Sequence, residues 1–355
     1  MKKSKVIKQN VGCDFSKSDF KASFQQLLDG QRRRTKASRT FKNTVEGFGS
    51  FLNWAGKHRD RSVPVRVTVE ATGVYHEQFV HFLNDDGGGW HTSILLPNKS
   101  KAYAKSLGVN TKTDKVDAKL LGMMGIERDL KKWVPISPKM YTIRQLCRER
   151  VSLLEERTSV SNKLHALSHS HAPQEASKGR MKERLELIGR QIKEAERDIT
   201  VAVERDEKLK SRLDKVCKVN GIKLITAATV VSEMGGFVLF SSRSQVTSYA
   251  GYDIVERASG TSIRGKTKIS KKGNRFVRRA LHFPALTAVR HEPQFQQLYE
   301  RVFERTSIKM KGYVAVQRKL LLLIYTLFKN DVEYDPDYQK KLAGQKENRQ
   351  VLVPA

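Results

Sequence analysis

The stretch TKTDKVDAKLL, residues 111–121, sets Asp114 and Asp117 three positions apart where an apolar helical pattern begins. Residues at i and i+3 are neighbours on a helix surface, so the two carboxylates repel each other unless a cation sits between them. Two further acids have equally unusual settings. Asp14 ends an apolar run in VGCDFSK, and Glu70 ends a β-branched run in VTVEATGVY. An acid at a strand end is costly to desolvate without a partner, and strand ends facing a crevice are where α/β folds bind ligands. Each acid alone has an ordinary reading: Asp14 as a turn cap, Glu70 as the partner of Arg66 or a lysine, and Asp114 as a helix-start acid favoured by the macrodipole. Taken together, on a first strand, a fourth strand and a later helix, they predict a site for hard divalent cations. Magnesium takes oxygen ligands, and two such ions about 3.5–4 Å apart stabilise the attacking and leaving oxygens of a phosphoryl transfer.

A second constellation is YAGYDIVERASGTSIRGKTKISKKGNRFVRRALHFPA, 249–285. Arg264, Lys266, Lys268, Lys271 and Lys272 lead into Gly273-Asn274 and a helix bearing Arg275, Arg278 and Arg279. Glycine admits close backbone approach, and helix-start amides and guanidinium forks suit phosphate oxygens. The segment therefore reads as a phosphate-binding loop in which serines donate hydrogen bonds. The residues alone give Ser259 no nucleophilic role, because a serine hydroxyl is weak at neutral pH without a base or metal.

The elements that must position these groups follow from periodicity. From about 6 to 130, VIKQNVGCDF, DFKASFQQLL, RRRTKASRTFKN, VPVRVTVEATG and GGGWHTSILLP read as strands. TVEGFGSFLNWAGKH, YHEQFVHFLNDD, NKSKAYAKSL and DKVDAKLLGMMGI read as helices, which makes an α/β domain over 1–135. From 136 to 210 heptads take over. Ile143, Leu146, Leu153, Val160, Leu164 and Leu167 hold a and d spacing, with Arg150 and Arg157 intruding. After the break HSHSHAPQEASKGR the pattern resumes through Leu185, Ile188, Ile192, Ala195, Ile199, Ala202 and Leu209. Such a pair is an antiparallel hairpin, an oligomerising coiled coil or a plain helical spacer. Residues 211–330 form a mostly helical domain, and 331–355 a polar, frayed tail.

The chain has 355 residues with a formal net charge of +30. Self-repulsion on that scale predicts a polyanionic partner. Nucleic acid fits better than membrane, since the cations do not gather on one amphipathic helix. The longest apolar run, LLLLIYTLF, is too short to span a bilayer. No apolar stretch of signal-peptide length follows the basic N-terminus. Cys13, Cys147 and Cys217 show no metal or disulfide spacing, so a reducing cytoplasm is expected. Three smaller features remain. His165 and His169 have i,i+4 spacing that could hold a metal, but with no acid or cysteine nearby they read, with His171, as solvated polar residues. Arg32, Arg33 and Arg34 resemble a nuclear localisation patch, which an exposed turn or phosphate contact explains equally well. Lys99, Lys101 and Tyr103 read as a nucleic-acid contact before the acid-bearing helix.

The order VGCDFSK, VEATGVY, KTDKVDAKLL resembles the ribonuclease H-like (RuvC-like) fold of Holliday-junction resolvases. More closely it resembles the DEDD insertion-sequence transposases, relatives of the Piv-type DNA invertases. The run from Ser259 to Gly265 matches that family's SG[ST]S[IV]RG motif, and ISKKGNRFVRRAL also fits. The resemblance covers nearly the whole chain. It departs at 219–235, where Asn220 and Lys223 replace a proline and a glycine of a PGIG-type start, and at AGYDI, 250–254. It implies an RNase H-like DEDD domain, a dimerising coiled coil and a C-terminal transposase domain. It further implies magnesium-dependent strand cleavage and exchange with Ser259 as nucleophile in a composite active site, and a covalent phosphoserine intermediate. The implied partners are target and donor DNA, a structured guide (bridge) RNA, and further copies in a homodimer or homotetramer. The implied setting is the nucleoid of a bacterial or archaeal cytoplasm. Two rivals make different predictions: a resolvase-like metal endonuclease without serine chemistry, and a non-catalytic nucleic-acid-binding scaffold.

Overall fold

Alternation of side chains decides the first half of the chain. The computed structural model describes residues 4–256, 258–259, 263–265 and 267–337, with the backbone alone at 258–259 and 263–264. It divides into two compact units, one ending at Pro135 and one beginning at Ile136.

In the first unit, β1 (Val6–Phe15), β2 (Asp19–Leu28), β3 (Arg33–Lys42), β4 (Val65–Glu70) and β5 (His91–Leu95) form a single sheet in the order β3-β2-β1-β4-β5. The first three strands are antiparallel neighbours, while β4 runs parallel to β1 and β5 parallel to β4. Parallel neighbours require crossovers. These run through α1 (Val45–His58) and α2 (Glu77–Asp85). Val11, Cys13 and Phe15 of β1 point to one face and join a core with Phe20, Phe24, Phe48, Phe51 and Phe79. With a period of two, Gly12 and Asp14 point to the other face. So do Thr68 and Glu70 of β4, and Lys21, Ser23 and Gln25 of β2. Edge strand β3 carries Arg33, Arg34, Lys36, Arg39 and Lys42, all exposed.

The second face is covered by α4 (Asp114–Glu127), which packs across β1, β2 and β4, with α3 (Pro97–Ser106) beside it. Although buried, this face is polar, and hydrogen bonds pair the groups at its centre, as buried polar atoms require. Asn10 Nδ2 donates to the Gly122 carbonyl at 3.1 Å, and Thr68 Oγ1 donates to Asn10 Oδ1 at 3.1 Å. The helix comes this close because three glycines allow it. A Cβ on Gly12 would lie 2.1 Å from the Ala118 carbonyl and the Gly122 nitrogen, and one on Gly125 would lie 2.2 Å from Asn10 Nδ2.

In the second unit, α5 (Pro138–Ser168) and α6 (Glu175–Glu204) form an antiparallel hairpin. Arg150 meets Glu196 at 2.6 Å and Arg184 meets Glu156 at 2.5 Å, so one of the two arginines that interrupt the heptads, Arg150, is neutralised across the pair. Val160, Ile188 and Ile192 make a small core of their own. At the other end of the hairpin, Ile143, Cys147, Ile199 and Val203 enter the main core with Leu213, Val230, Leu320 and Ile324. The hairpin and the helices after it therefore share one core rather than separating near residue 210. Those helices are α7 (Glu207–Cys217), α8 (Leu224–Glu233), α9 (Arg243–Ala250), α10 (Arg275–Ala280), α11 (His282–His291), α12 (Pro293–Thr306) and α13 (Lys309–Asn330). Between α9 and α10 lie two small strand pairs, β6 (Ile254–Val255) with β9 (Lys268–Ile269) and β7 (Ala258–Ser259) with β8 (Ile263–Arg264).

The departures at 219–223 leave a tight turn intact. Gly221 has φ +88°, and a Cβ there would lie 2.9 Å from Thr287 Cβ. Asn220 Nδ2 donates to Glu292 at 3.0 Å. The expectation of a frayed end from residue 331 needs correction. Asp331 pairs with Lys215 at 2.9 Å, Glu333 with Lys218 at 2.8 Å, and the Tyr334 hydroxyl donates to Glu292. Residues 338–355 lie outside the described residues. Among the described residues no helix is long and apolar enough to cross a membrane.

Candidate active site

Asp14 and Glu70 reach one end of the sheet together. The parallel register that pairs Cys13 with Val69 brings the next residues, Asp14 and Glu70, side by side on the α4 face. Helix α4 starts where Thr113 Oγ1 accepts from the Val116 amide, so Asp114 and Asp117 both fall in its first turn. There the helix dipole favours negative charge. The glycine contacts described above fix how closely that turn approaches β1.

The electrostatics link all four acids. Burial, then Asp117, Asp114 and Glu70, push the Asp14 carboxyl up to about 6. Asp117 is raised by burial, with Glu70 and Asp114 adding to the shift and Lys112 opposing it. Asp114 moves the other way because the Lys21 ammonium donates to its Oδ2 at 2.7 Å. Lys21 stands directly across the strand pair from Asp14. Glu70 accepts from the hydroxyls of Thr72, at 3.1 Å, and Ser100. Arg66 turns instead to Asp129, at 3.3 Å.

As these side chains stand, no group of three or more His, Cys, Asp or Glu among the described residues is arranged around one point that would hold a metal ion. The donor chemistry nevertheless fits a hard cation. Four carboxylates gather about one polar face, and burial together with their mutual repulsion raises Asp14, a cost that a divalent ion would relieve. Lys21 already performs part of that neutralisation at Asp114.

The serine-bearing loop is fastened at both ends. Lys271 N–H donates to the Gly251 carbonyl at 3.1 Å and Asn274 N–H to the Tyr249 carbonyl at 2.8 Å. Gly273 must be glycine here, since a Cβ would lie 2.4 Å from the Tyr249 oxygen. Beneath this closure lies Glu233, whose side chain is fully buried. Arg148 donates to it through Nε at 2.6 Å and Nη2 at 2.9 Å, and Asn274 Nδ2 donates at 2.6 Å. The same Asn274 caps α10, accepting from the Phe276 and Val277 amides. A buried carboxylate with three charge-assisted or amide donors fixes geometry strongly; breaking such a pair costs about 3–5 kcal/mol.

The expected phosphate ligands fall into groups. Lys268, Lys271, Lys272 and Arg275 are exposed. Arg278 donates to the Ala250 carbonyl at 2.7 Å and so braces the loop, while Arg279 pairs with Glu155 and ties α10 to α5. The Ser259 hydroxyl, the Arg264 guanidinium and Lys266 lie outside the described residues; the backbone pairs Ser259 with Ile263. On α3, Lys99 and Lys101 are exposed, but Tyr103 is buried and belongs to the core rather than to a nucleic-acid contact. Arg33 pairs with Glu127 at 3.0 Å and Arg34 donates to Gln26. The His165 and His169 rings lie 4.5 Å apart at the end of α5, with His171 exposed nearby.

Sequence reasoning passed over Lys21, Asn10, Ser100, Glu233, Arg148 and the glycines of α4. A signal existed for the glycines. GMMG places two at i, i+3 in an otherwise apolar helix, the spacing of a face pressed against backbone.

A family model described as "Transposase", of the DEDD IS110 type, matches residues 11–173. A second, described as "Transposase IS116/IS110/IS902 family", matches residues 213–300. The chain belongs to the IS110 transposase family. As a member it is a DNA-cleaving enzyme, and the matched spans contain all four acids and Ser259. Among relatives of the family, the pilin gene-inverting protein of Moraxella bovis is 28% identical over 335 residues, covering 93% of this chain and 98% of that protein. The pilin gene-inverting protein of Moraxella lacunata gives the same identity and coverage. An uncharacterized insertion element IS110 protein of Streptomyces coelicolor is 24% identical over 115 residues, 32% of this chain and 28% of that one. Among solved structures, Thermus thermophilus RuvC in complex with a Holliday junction substrate aligns at 12% identity and a TM-score of 0.27, covering 35% of this chain and 99% of that chain.

Proposed function

We propose that this transposase cuts and exchanges DNA strands for a mobile element by divalent-metal-dependent serine chemistry. Its 1–135 region acts as a ribonuclease H-like metal domain, 136–210 as the dimerising helical region, and 211–330 as the serine domain. The observation that supports the reading is that Asp14, Glu70, Asp114 and Asp117 gather about one polar face, where burial first and then the other three acids raise Asp14. A fold bears such repulsion where a cation relieves it.

Asp14, Glu70, Asp114 and Asp117 would hold the metal, and magnesium, the ion the family resemblance implies, is among the hard cations that take such oxygen ligands. When bound, such an ion supplies charge stabilisation at phosphate oxygens and lowers the pKa of a coordinated hydroxyl. The Ser100 and Thr72 hydroxyls orient Glu70, and Lys21 balances Asp114. Ser259 is the attacking group, with Arg264, Lys266, Lys268, Lys271, Lys272 and Arg275 gripping the backbone around the scissile phosphate. Attack of Ser259 Oγ on phosphorus forms the phosphoserine bond as the P–O bond to the departing strand breaks. That strand leaves with a free hydroxyl, and a later attack by a hydroxyl end regenerates the serine. No bond energy is lost, which suits strand exchange better than hydrolysis.

A guide RNA and assembly of several copies complete the reading. Both rest on the family resemblance and on the +30 charge. Two relatives are named for gene inversion, a rearrangement of DNA. The test is denaturing electrophoresis after incubation with magnesium and cognate DNA. The intact chain should give a protein–DNA adduct that Ser259→Ala abolishes and Asp14→Asn reduces at least a hundredfold. Cleavage surviving Ser259→Ala would favour the water-using resolvase. Cleavage insensitive to both substitutions would place the chemistry elsewhere.

A further inference from the structure

The second unit contains a groove of about 1180 Å³ between the loop hairpin β6–β9 and helices α12 and α13. Its rim is cationic from both sides. Lys268 and Lys271 project from the loop, Arg301 and Arg305 from α12, and Lys311, Arg318 and Lys319 from α13. Glu256 is the lone carboxylate among the described lining residues. None of the seven cations forms an ion pair within the described residues, whereas cations elsewhere in the unit, such as Arg148, Arg150 and Lys215, do. Arg301 and Arg305 stand at i, i+4, a like-charge pair that weakens the helix unless an anion bridges it.

The floor is apolar. Leu298, Val302, Val314 and Leu322 line it, and Ile254, Ile308 and Met310 are more than 40% exposed. A phosphate ridge alone has no use for such a floor. Duplex DNA turns phosphates outward and keeps its base faces stacked inside. A single strand presents a charged backbone on one side and base faces on the other, so its phosphates suit the cationic rim and its apolar base faces the aliphatic floor.

We infer that this groove is a binding site for single-stranded nucleic acid, holding its phosphates on the α12–α13 rim and its bases against the aliphatic floor. The site extends the DNA-processing reading, but it uses neither the four acids nor Ser259. It lies on the side of the loop that the sequence did not mark. Arg301, Arg305, Lys311, Arg318 and Lys319 occur in ordinary-looking amphipathic helices, and only the fold brings them opposite Lys268 and Lys271.

The test uses full-length Ser259→Ala protein in chelator, so that binding is read whether or not the proposed chemistry is right. Short fluorescein-labelled single-stranded RNA, single-stranded DNA and duplex DNA are titrated by anisotropy across a salt series. Single strands should bind more tightly than duplex. The combined Arg301→Ala, Arg305→Ala, Arg318→Ala and Lys319→Ala variant should weaken them at least tenfold, and should reduce the salt slope by about 0.7 per lost phosphate contact. Ile254→Ser with Met310→Ser should weaken single strands with the slope unchanged. All six positions are exposed, so circular dichroism should show the fold retained. The inference fails if the four-cation variant keeps both affinity and slope, or if duplex is bound as tightly as single strands. It also fails if the substitutions change only the oligomeric state without nucleic acid, which would make the groove an interface between copies. Comparing the RNA and DNA arms identifies which strand the groove prefers.

Discussion

Asp14 shows what the site costs the fold. Its carboxyl is pushed from the usual value near 4 up to about 6, so between those pH values the folded chain binds a proton that the unfolded chain has released. Stability from this group is therefore complete below about pH 4 and is lost as pH rises through about 6. In chelator, the melting temperature of the wild type should fall relative to Asp14→Asn across that window and run parallel to it above about pH 7. A constant offset by differential scanning fluorimetry would mean that Asp14 does not feel the other three acids. Much of this was readable from residue types, because VGCDF and VTVE alternate so that the acids leave the apolar face together. Lys21 was not readable. It is one lysine among many, and only the β1–β2 register places it across from Asp14.

At the scale of elements, α4 is the device that delivers two of the acids. Its position is set by close backbone approach rather than by large apolar side chains. Gly12→Ala should force the helix from the strand, since the new Cβ would meet backbone atoms at 2.1 Å with no side chain free to yield. Overpacking of this kind costs about 1–3 kcal/mol. Urea unfolding should show a loss of at least that size, whereas the control Gly49→Ala, inside α1 with a Cβ that meets nothing, should gain about 0.5–1 kcal/mol. A loss below about 0.5 kcal/mol would mean the contact is loose. Each strand and helix of the first unit could be anticipated, because β-branched alternation and helical spacing are local signals. The shared core of hairpin and C-terminal helices could not. Ile143 and Ile199 satisfy heptad spacing equally well whether they face a coiled-coil partner or the helices that follow. Nor could the fastened 331–334 segment, whose acids find Lys215 and Lys218 only in the folded chain.

Across the whole molecule, charge is organised rather than merely abundant. The excess of thirty positive charges was the plainest message of the sequence, and it pointed to a polyanion without saying where one would lie. The fold sorts the cations into those spent internally, such as Arg148 and Arg278, and those left facing solvent around the loop and along β3. Strand β3 is ten residues long and lies at the border of its sheet, with one side of its backbone unpaired. Such a border invites another chain to add a strand, and a row of arginines and lysines is how natural proteins discourage it. That guard is electrostatic, so it fades as ionic strength rises and the screening length shrinks. Light scattering without nucleic acid should grow between about 0.1 and 1 M salt, and Arg39→Glu with Lys36→Glu should shift its onset. High-salt buffers chosen to strip bound nucleic acid during purification would then also disarm the chain's protection against clumping with itself.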